Sequence, residues 1–163
     1  MIKKKLISIV TPVFNEELNI VDCVNSTKHF FKVNKKYDYE HVIVDNNSTD
    51  SSKEMLINLA KTNKKLKIIL NDKNYQVLPS LFNALRFVNG EGILICYSAD
   101  LQDDIKTLKL FISKWEKGYD LVSAQRNIRN ESSTWKFIKK IYYFLYILFN
   151  FSEIIRKKKT LFC

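Results

Sequence analysis

Short apolar segments alternate with longer amphipathic ones along the chain, and this alternation limits the possible folds more than any other feature. In the amphipathic segments, apolar side chains recur at three- and four-residue steps, which is typical of helices with one buried face. The apolar runs have the length and polar boundaries of buried strands, and they occupy residues 6–10, 41–44, 66–70, 93–97 and 120–124. The order β-α-β-α-β-α-β-α-β predicts an α/β fold with a mostly parallel sheet, right-handed crossovers and helices on both faces.

Local signals predict where several of these elements begin and end. Pro12 has no N–H for a central ladder, so we expect the first strand to end there. Ser51 and Glu54 have the spacing of a capping box at the start of the second helix. Pro79 suits the first turn of the third helix, and Gly118 is placed to end the fourth.

The composition fits one domain with its own core and excludes several classes of protein. The chain has 163 residues, of which 46% are hydrophobic. Three cysteines without a CxxC spacing indicate neither a disulfide framework nor a zinc site, and a reducing cytoplasm suits them best. Three glycines, none in a phosphate-cradling loop, argue against a P-loop or dinucleotide-binding protein. The apolar run that follows the first lysines stops at Pro12, too early for a secretion signal.

Most of the excess of positive over negative charge lies near one end of the chain. The net charge is +10, and residues 126–163 contain nine Lys or Arg against two Glu. Within them, residues 141–149 are apolar all round, but nine residues fall short of the roughly 20 that span a bilayer. We therefore divide the chain into a domain at 1–135 and a basic, aromatic helix at 136–163. That helix either packs in a core or lies at a membrane interface. Nucleic acid is not an expected partner, because no base-reading motif accompanies the charge.

Polar clusters follow three of the predicted strands, at residues 11–17, 45–50 and 98–104. The carboxyl ends of parallel strands meet at one edge of a sheet, so we expect these clusters to converge. An acid there could accept hydrogen bonds from a nucleobase, while the oxygen-rich third cluster suits Mg²⁺ or Mn²⁺ on a diphosphate. The acids of the third cluster could equally be the solvated start of a helix.

Three stretches of the sequence carry a family resemblance. Residues 9–17 (IVTPVFNEE), 43–50 (IVDNNSTD) and 99–103 (ADLQD) resemble, in order and spacing, consecutive signatures of family 2 glycosyltransferases with the GT-A fold. The likeness extends from residue 6 to about residue 150. Residues 100–102, together with the segment WEKGYDLV that begins at Trp115, most resemble the branch that transfers sugars to polyprenyl phosphates.

The resemblance implies roles for particular residues but assigns no catalytic residue. It implies that Asp100 and Gln102 hold Mg²⁺ or Mn²⁺ on the diphosphate of a UDP- or GDP-sugar. Arg126 matches a position that faces phosphate groups, the alternative being a surface arginine. The nucleotide pocket would be formed by Pro12, Asn15, Glu16, Asp45, Asn47 and Asp100.

The chain departs from the family pattern at several positions. Ser98 stands where the metal motif usually begins with an acid, and Asn46 with Asn47 replaces an Asp-Gly pair. Gln76 stands where a glycine is common. The chain also ends where the family continues, so the GT-A fold would have an incomplete acceptor half.

These features predict a metal-dependent glycosyltransferase at the cytoplasmic membrane face. The acceptor would be a polyprenyl phosphate or a cell-surface glycan. A polyprenyl phosphate is the better match, because it is already an anion and needs no catalytic base. The alternative is a truncated, inactive module that binds a nucleotide or nucleotide-sugar.

Overall fold

Four parallel strands and four helices alternate in the computed structural model, which describes residues 4–95, 97–102 and 105–123. In chain order they are β1 (Leu6–Val13), α1 (Ile20–Val33), β2 (Asp38–Asp45), α2 (Ser52–Thr62), β3 (Leu66–Leu70), α3 (Val77–Ala84), β4 (Gly92–Ile95) and α4 (Thr107–Glu116). The strands form one sheet in the order β3-β2-β1-β4. The predicted α/β fold with a parallel sheet is confirmed.

The strand order reverses direction at β1. From β1 the chain moves outward through β2 to β3, and it then returns to place β4 on the other side of β1. The pairing of β1 with β2 runs as far as Val13 opposite Asp45, whereas the pairing with β4 stops at Val10 opposite Ile95. Such a reversal opens a crevice at the carboxyl ends of the strands, where α/β proteins bind ligands.

Helices cover both faces of the sheet, as predicted. On one face, Ile9 and Ile43 belong to clusters shared with α1, α2 and α4. On the other face, Val10 and Val42 pack against Leu81 of α3. Each fully buried aliphatic side chain of this size contributes roughly 1.5–3 kcal/mol. Since alternate strand residues pack on helices on opposite faces, the strands are fixed in register; β1, β2 and β3 end level with one another, and β4 ends three residues earlier.

The prediction that Pro12 ends the first strand is wrong. The backbone carbonyls of Lys5 and Val13 accept hydrogen bonds from amides on the β2 side. The carbonyls of Leu6 and Val10 accept them from amides on the β4 side. Alternation places Pro12 with the residues that face β4, and β4 has already ended at that level. The missing N–H therefore breaks no ladder hydrogen bond, and the strand continues to Val13.

The predicted capping box is also wrong, although α2 begins where it was expected. Ser51 is the N-cap residue, but its side chain makes no capping hydrogen bond. Instead, the Asp50 carboxylate accepts from the Ser52 amide at 2.9 Å. Pro79 does lie in the first turn of α3. Gly118, with φ of +88°, follows α4 and donates to the Trp115 carbonyl, as expected of a terminating glycine.

Several predictions concern residues that the structure does not describe. Of the expected strand at 120–124, residues 120–123 are described and form no strand. Arg126, Asp103, Asp104 and the segment 136–163, with its domain boundary, lie outside the described residues. Among the helices that are described, none has the length and apolar character needed to cross a bilayer.

Candidate functional site

The loop after β1 (residues 14–19) and the loop after β2 (residues 46–51) are joined by hydrogen bonds through Asn15. Its amide donates to Ser48 Oγ at 3.0 Å, and its side-chain Oδ1 accepts from the Thr49 amide at 2.8 Å. Asn15 has φ of +56°, in the left-handed region that asparagine enters more readily than most residues. Asn15 thus lies at the predicted edge of the sheet, where it connects two loops.

Two glutamates extend this connection to the start of α2. The Glu16 amide donates to Ser52 Oγ at 2.9 Å, and the Glu17 amide donates to Asp50 Oδ2 at 3.2 Å. In return, the Ser51 amide donates to Glu17 Oε2 at 2.9 Å. Backbone donors of both loops are therefore paired across the gap between them, which fixes their separation.

Asp45 is the last residue of β2 and is 1% exposed. Its Oδ2 accepts from the Ser48 amide at 3.2 Å. Its Oδ1 is buried and has no hydrogen-bond partner among the described residues. A buried carboxylate oxygen without a donor is costly, so it indicates a place where a ligand could supply an N–H or O–H. Asn47, exposed and with φ of +63°, turns the chain just beyond it.

Asn46 is a site residue to which the sequence assigned no role beyond being a departure from the family pattern. It is 3% exposed, and its Oδ1 accepts from Ser80 Oγ at 2.6 Å and from Asn71 Nδ2 at 2.8 Å. Its Nδ2 donates to the Gln76 carbonyl at 3.0 Å. This one side chain therefore attaches the loop after β3, residues 71–76, and the start of α3 to the end of β2. A polar residue directly after a buried strand was the only available signal.

The third predicted cluster forms a tight turn around Asp100. Ser98 Oγ donates to Asp100 Oδ1, which also accepts from the Gln102 amide at 3.1 Å. Leu101 between them has φ of +58°, which is uncommon for a leucine. The serine that replaces the usual acid therefore orients the carboxylate of Asp100.

The cluster after β4 converges with the cluster after β1 on the buried thiol of Cys23 in α1. Burial raises the pKa of Cys23 to about 12, with the Thr11 hydroxyl opposing and the carboxylates of Glu16 and Asp100 reinforcing the rise. Both carboxylates therefore lie within electrostatic reach of one thiol. Because β1 lies between β2 and β4, the clusters after these three strands are neighbours at one edge of the sheet, as predicted.

The described donors suit a hard divalent cation that is shared with a ligand. Asp100 and Gln102 offer oxygen atoms, and Mg²⁺ typically takes one or two carboxylates together with phosphate oxygens and water. Within the described ranges, no three His, Cys, Asp or Glu side chains are grouped closely enough to hold a metal by themselves. Further ligands for such an ion would have to come from a bound molecule or from water.

The structure brings most of the predicted site residues to one edge. Pro12 lies beside Val44 near the ends of β1 and β2. Arg126 is outside the described residues. A cleft of about 480 Å³ borders the edge on the β3 side; Asn71 and Ser80 of its lining both bond Asn46. The predicted residues placed at or next to the edge are Pro12, Asn15, Glu16, Asp45, Asn47, Asp100 and Gln102.

Comparison with known proteins gives consistent relatives. A sequence model of the family described as glycosyl transferase family 2 matches residues 8–163. A prophage bactoprenol glucosyl transferase homolog of Escherichia coli (strain K12) is 33% identical over 124 residues, covering 76% of this chain and 40% of its own. The undecaprenyl-phosphate 4-deoxy-4-formamido-L-arabinose transferase of Photorhabdus laumondii is 32% identical over 139 residues, covering 84% of this chain and 42% of its own.

A solved structure shares the fold. The mannosyltransferase PcManGT from Pyrobaculum calidifontis, in complex with GDP-Man and Mn²⁺, superposes with a TM-score of 0.61 at 20% identity. The match covers 77% of this chain and 37% of that one.

The present chain spans about 40% of the length of the curated relatives it matches.

Proposed function

Because the chain belongs to glycosyl transferase family 2, we propose that it binds a UDP- or GDP-sugar and takes part in transferring the sugar to a polyprenyl phosphate. Two relatives are named for bactoprenol and for undecaprenyl phosphate, which supports this class of acceptor over a cell-surface glycan. The polar clusters of the described residues belong to the side of the fold that would hold the donor.

The proposal rests on Asp45 Oδ1, which is buried and has no hydrogen-bond partner among the residues that the structure describes. A carboxylate oxygen there accepts the ring N–H of uracil or guanine, whereas cytosine and adenine have no such N–H on their pairing edge. A site built around a buried acceptor rejects ligands that leave it unpaired, often by several orders of magnitude. The walls of the nucleotide pocket around this contact would be formed by Pro12, Asn15, Glu16 and Asn47.

The diphosphate would be bound at the Asp100 turn. Asp100 and Gln102 would hold Mg²⁺ or Mn²⁺, and such an ion neutralises the charge that develops on the leaving diphosphate. Ser98 keeps the Asp100 carboxylate oriented through its hydrogen bond. Arg126 would add a positive charge near the phosphates. The acceptor phosphate is already an anion, so no general base is required.

The test of the base contact is calorimetric titration with UDP, GDP, CDP and ADP in the presence of Mn²⁺. We expect the wild type to bind UDP or GDP and to bind CDP and ADP much more weakly. Asp45→Asn should lower affinity for the preferred nucleotide more than tenfold, because asparagine has one acceptor oxygen for two N–H donors, the Ser48 amide and the ring N–H of the base. Glu91→Gln is the matched control, since it makes the same change from carboxylate to carboxamide at an exposed position before β4, at the amino end of the sheet. Equal losses in both variants would contradict the base contact.

The metal contact is tested by repeating the titration with and without Mn²⁺. Asp100→Asn should remove the gain in nucleotide affinity that Mn²⁺ gives the wild type, while affinity without metal stays the same. Paramagnetic broadening of nucleotide ³¹P signals by Mn²⁺ gives a readout independent of turnover. Undiminished metal dependence in the variant would exclude Asp100 from the metal site.

A second candidate is a donor-binding module without transfer activity. The donor-side loops complete their hydrogen bonds with one another, which favours binding even where the acceptor is handled elsewhere. Incubation with radiolabelled UDP- or GDP-sugars and undecaprenyl phosphate separates the two candidates. Labelled lipid supports transfer, and nucleotide binding without labelled lipid supports the module.

A location at the cytoplasmic face of the membrane would follow from this acceptor. The phosphate of a polyprenyl phosphate lies at the membrane surface, and the basic residues of segment 126–163 would favour anionic lipid. We therefore propose peripheral association with the cytoplasmic leaflet.

A further inference from the structure

Helix α3 is apolar on its outer face as well as on the face that packs against the sheet. Leu81 and Ala84 are buried in the cluster shared with β1, β2 and β4. Leu78 and Phe82 lie one turn apart on a neighbouring row of the helix and are 66% and 61% exposed. The helix contains no charged residue. A surface helix normally turns polar side chains outward, so the outer face of α3 has the character of a contact surface.

The exposed apolar surface continues from α3 to the end of β3. Leu70 and Tyr75 are exposed, and together with Pro79 they line the cleft of about 480 Å³ beside β3. Pro79 follows Leu78 in the helix, so the two groups adjoin. A single exposed leucine is ordinary, whereas a group of this size is typical of a surface that binds a partner or a membrane. This α3 surface comprises Leu70, Tyr75, Val77, Leu78, Pro79 and Phe82.

The charges that flank the α3 surface are positive. Residues 73–90 include Lys73 and Arg86 and no Asp or Glu. The Lys73 ammonium lies 4.9 Å from the centroid of the Tyr75 ring, and Arg86 is exposed just after the helix. Asp72, the acid before this segment, accepts a hydrogen bond from the Tyr75 hydroxyl at 2.8 Å. Aliphatic and aromatic side chains bordered by cations are typical of segments that lie in the interface of an anionic bilayer.

This charge pattern favours a lipid surface over a second copy of the chain. In a two-fold contact, the same patch of each copy faces the other. Lys73 and Arg86 of one copy would then approach the same cations of its partner, and residues 73–90 supply no acid to pair with them. Like charges brought together in an interface oppose association. The phosphates of an anionic membrane supply the negative charge that the protein surface lacks.

The α3 surface begins beside the candidate site. Asn46, which follows Asp45, donates to the Gln76 carbonyl at 3.0 Å and accepts from Ser80 Oγ at 2.6 Å. These bonds hold the first turn of α3 at the carboxyl edge of the sheet. A bilayer in contact with the α3 surface would therefore start next to the edge at which the phosphate of a lipid acceptor has to arrive.

We propose that the α3 surface is a membrane-contact surface. Leu78 and Phe82 enter the boundary between headgroups and acyl chains of an anionic bilayer, and Lys73 and Arg86 lie at the lipid phosphates. The inference rests on the function proposed above for the choice of a membrane as the occupant. It adds to the basic segment an apolar contact, which salt does not screen.

The test is co-sedimentation with phosphatidylglycerol vesicles at low and at high salt. Leu78→Gln combined with Phe82→Gln changes no charge and removes the apolar side chains. We expect this double variant to bind at least tenfold more weakly than the wild type at both salt concentrations, because two large apolar side chains are no longer buried. Lys73→Gln combined with Arg86→Gln should weaken binding by about tenfold or more at low salt only.

The matched control is Leu110→Gln combined with Leu121→Gln. These leucines are 67% and 59% exposed, outside the α3 surface, and the control should bind vesicles within twofold of the wild type. An equal loss in the control and in the apolar double variant, or no loss in either, would overturn the inference. A clear fall in the Tm of the apolar double variant would show that the α3 surface is buried against protein, which would also overturn it.

Two further measurements separate the remaining explanations. Sedimentation velocity reports self-association: a wild-type dimer that the apolar double variant dissociates, with vesicle binding unchanged, would assign the α3 surface to a second copy and overturn the inference. Titration with UDP and GDP should give this variant the affinity of the wild type. Failure of the wild type itself to bind either nucleotide would overturn the proposed function, whereas a specific loss of vesicle binding in the apolar double variant would still support the membrane contact.

Discussion

His41 is a titratable group in the middle of the sheet, and it makes stability depend on pH. The imidazole is 1% exposed, and its Nε2 lies 2.9 Å from Thr11 Oγ1. Burial lowers its pKa from 6.5 to about 3, so the ring stays neutral in the folded protein. The unfolded chain takes up a proton below pH 6.5, hence stability is fully present above that pH and declines as the pH falls towards 3. Between pH 6 and 5 we expect the free energy of unfolding to fall by about 1 kcal/mol.

Urea unfolding at pH 7.5, 6.0 and 5.0 measures this dependence. His41→Gln should remove most of the slope, because it removes the described group that stays neutral in the folded protein and gains a proton on unfolding in that range. His29→Gln, at an exposed position on α1, should keep the slope. The same pH dependence in His41→Gln as in the wild type would assign it to other groups.

Gly90 is required by a close approach at the amino-terminal side of the sheet. Its amide donates to Ser8 Oγ at 2.8 Å, and Ser8 in turn donates to the buried carboxylate of Glu40 at 2.5 Å. A Cβ at position 90 would lie 2.5 Å from Ser8 Oγ and 2.6 Å from the Ser8 amide nitrogen. Gly90→Ala should therefore cost about 1–3 kcal/mol, the usual range for overpacking.

The matched control is Gly92→Ala in β4, where a Cβ would meet the Trp115 ring at an ordinary 3.6 Å. Chemical denaturation of both variants gives the comparison. Equal stability of the two would mean that Ser8 moves aside without cost.

At the scale of elements, the sequence predicted four strands and four helices because burial imposes their periodicities, whereas the described residues 120–123 of the fifth predicted strand form no strand. It also failed at Pro12 and Ser51, where the outcome depends on neighbours distant in the chain. Whether a proline interrupts a ladder depends on where β4 stops. Likewise, the Asp45 and Asp100 loops could be placed because both follow strands, whereas the bond from Asn46 to Gln76 depends on a fold that no local pattern specifies.

The start of α2 offers a direct test of this distinction. Ser51 is the N-cap but its side chain makes no cap, whereas Ser52 is 0% exposed and its Oγ accepts from the Glu16 amide at 2.9 Å. Ser52→Ala should lower the free energy of unfolding by about 1–2 kcal/mol, because it leaves a backbone donor unpaired. Ser51→Ala should change the free energy of unfolding by no more than a few tenths of the Ser52→Ala effect. Urea unfolding of both variants decides the matter, and the opposite ranking would restore Ser51 as the functional cap.

At the scale of the whole molecule, the strand order matters more than any single side chain. Because β1 lies between β2 and β4, the loops after these three strands are neighbours although they are separated by up to 80 residues or so in the sequence. This arrangement explains how Glu16 and Asp100 act on one thiol. Sequence alone predicted the convergence because parallel strands leave their carboxyl ends on one edge.

The distribution of charge leads to a prediction about membranes. The net charge is +10, and residues 156–159 are four consecutive cations. Each basic residue near an anionic surface is worth about 1 kcal/mol, so they should favour vesicles that contain phosphatidylglycerol over neutral phosphatidylcholine vesicles. In co-sedimentation at low salt, Lys157, Lys158 and Lys159 changed together to Gln should weaken binding to the anionic vesicles more than tenfold. Raising the salt should weaken binding of the wild type to the anionic vesicles too, because screening shortens the reach of the charges.

The control removes the same charge from the exposed surfaces of α1 and α2, by changing Lys28, Lys53 and Lys61 together to Gln. An equal loss in that control would show that net charge alone governs binding, and no loss in either would contradict an electrostatic attachment.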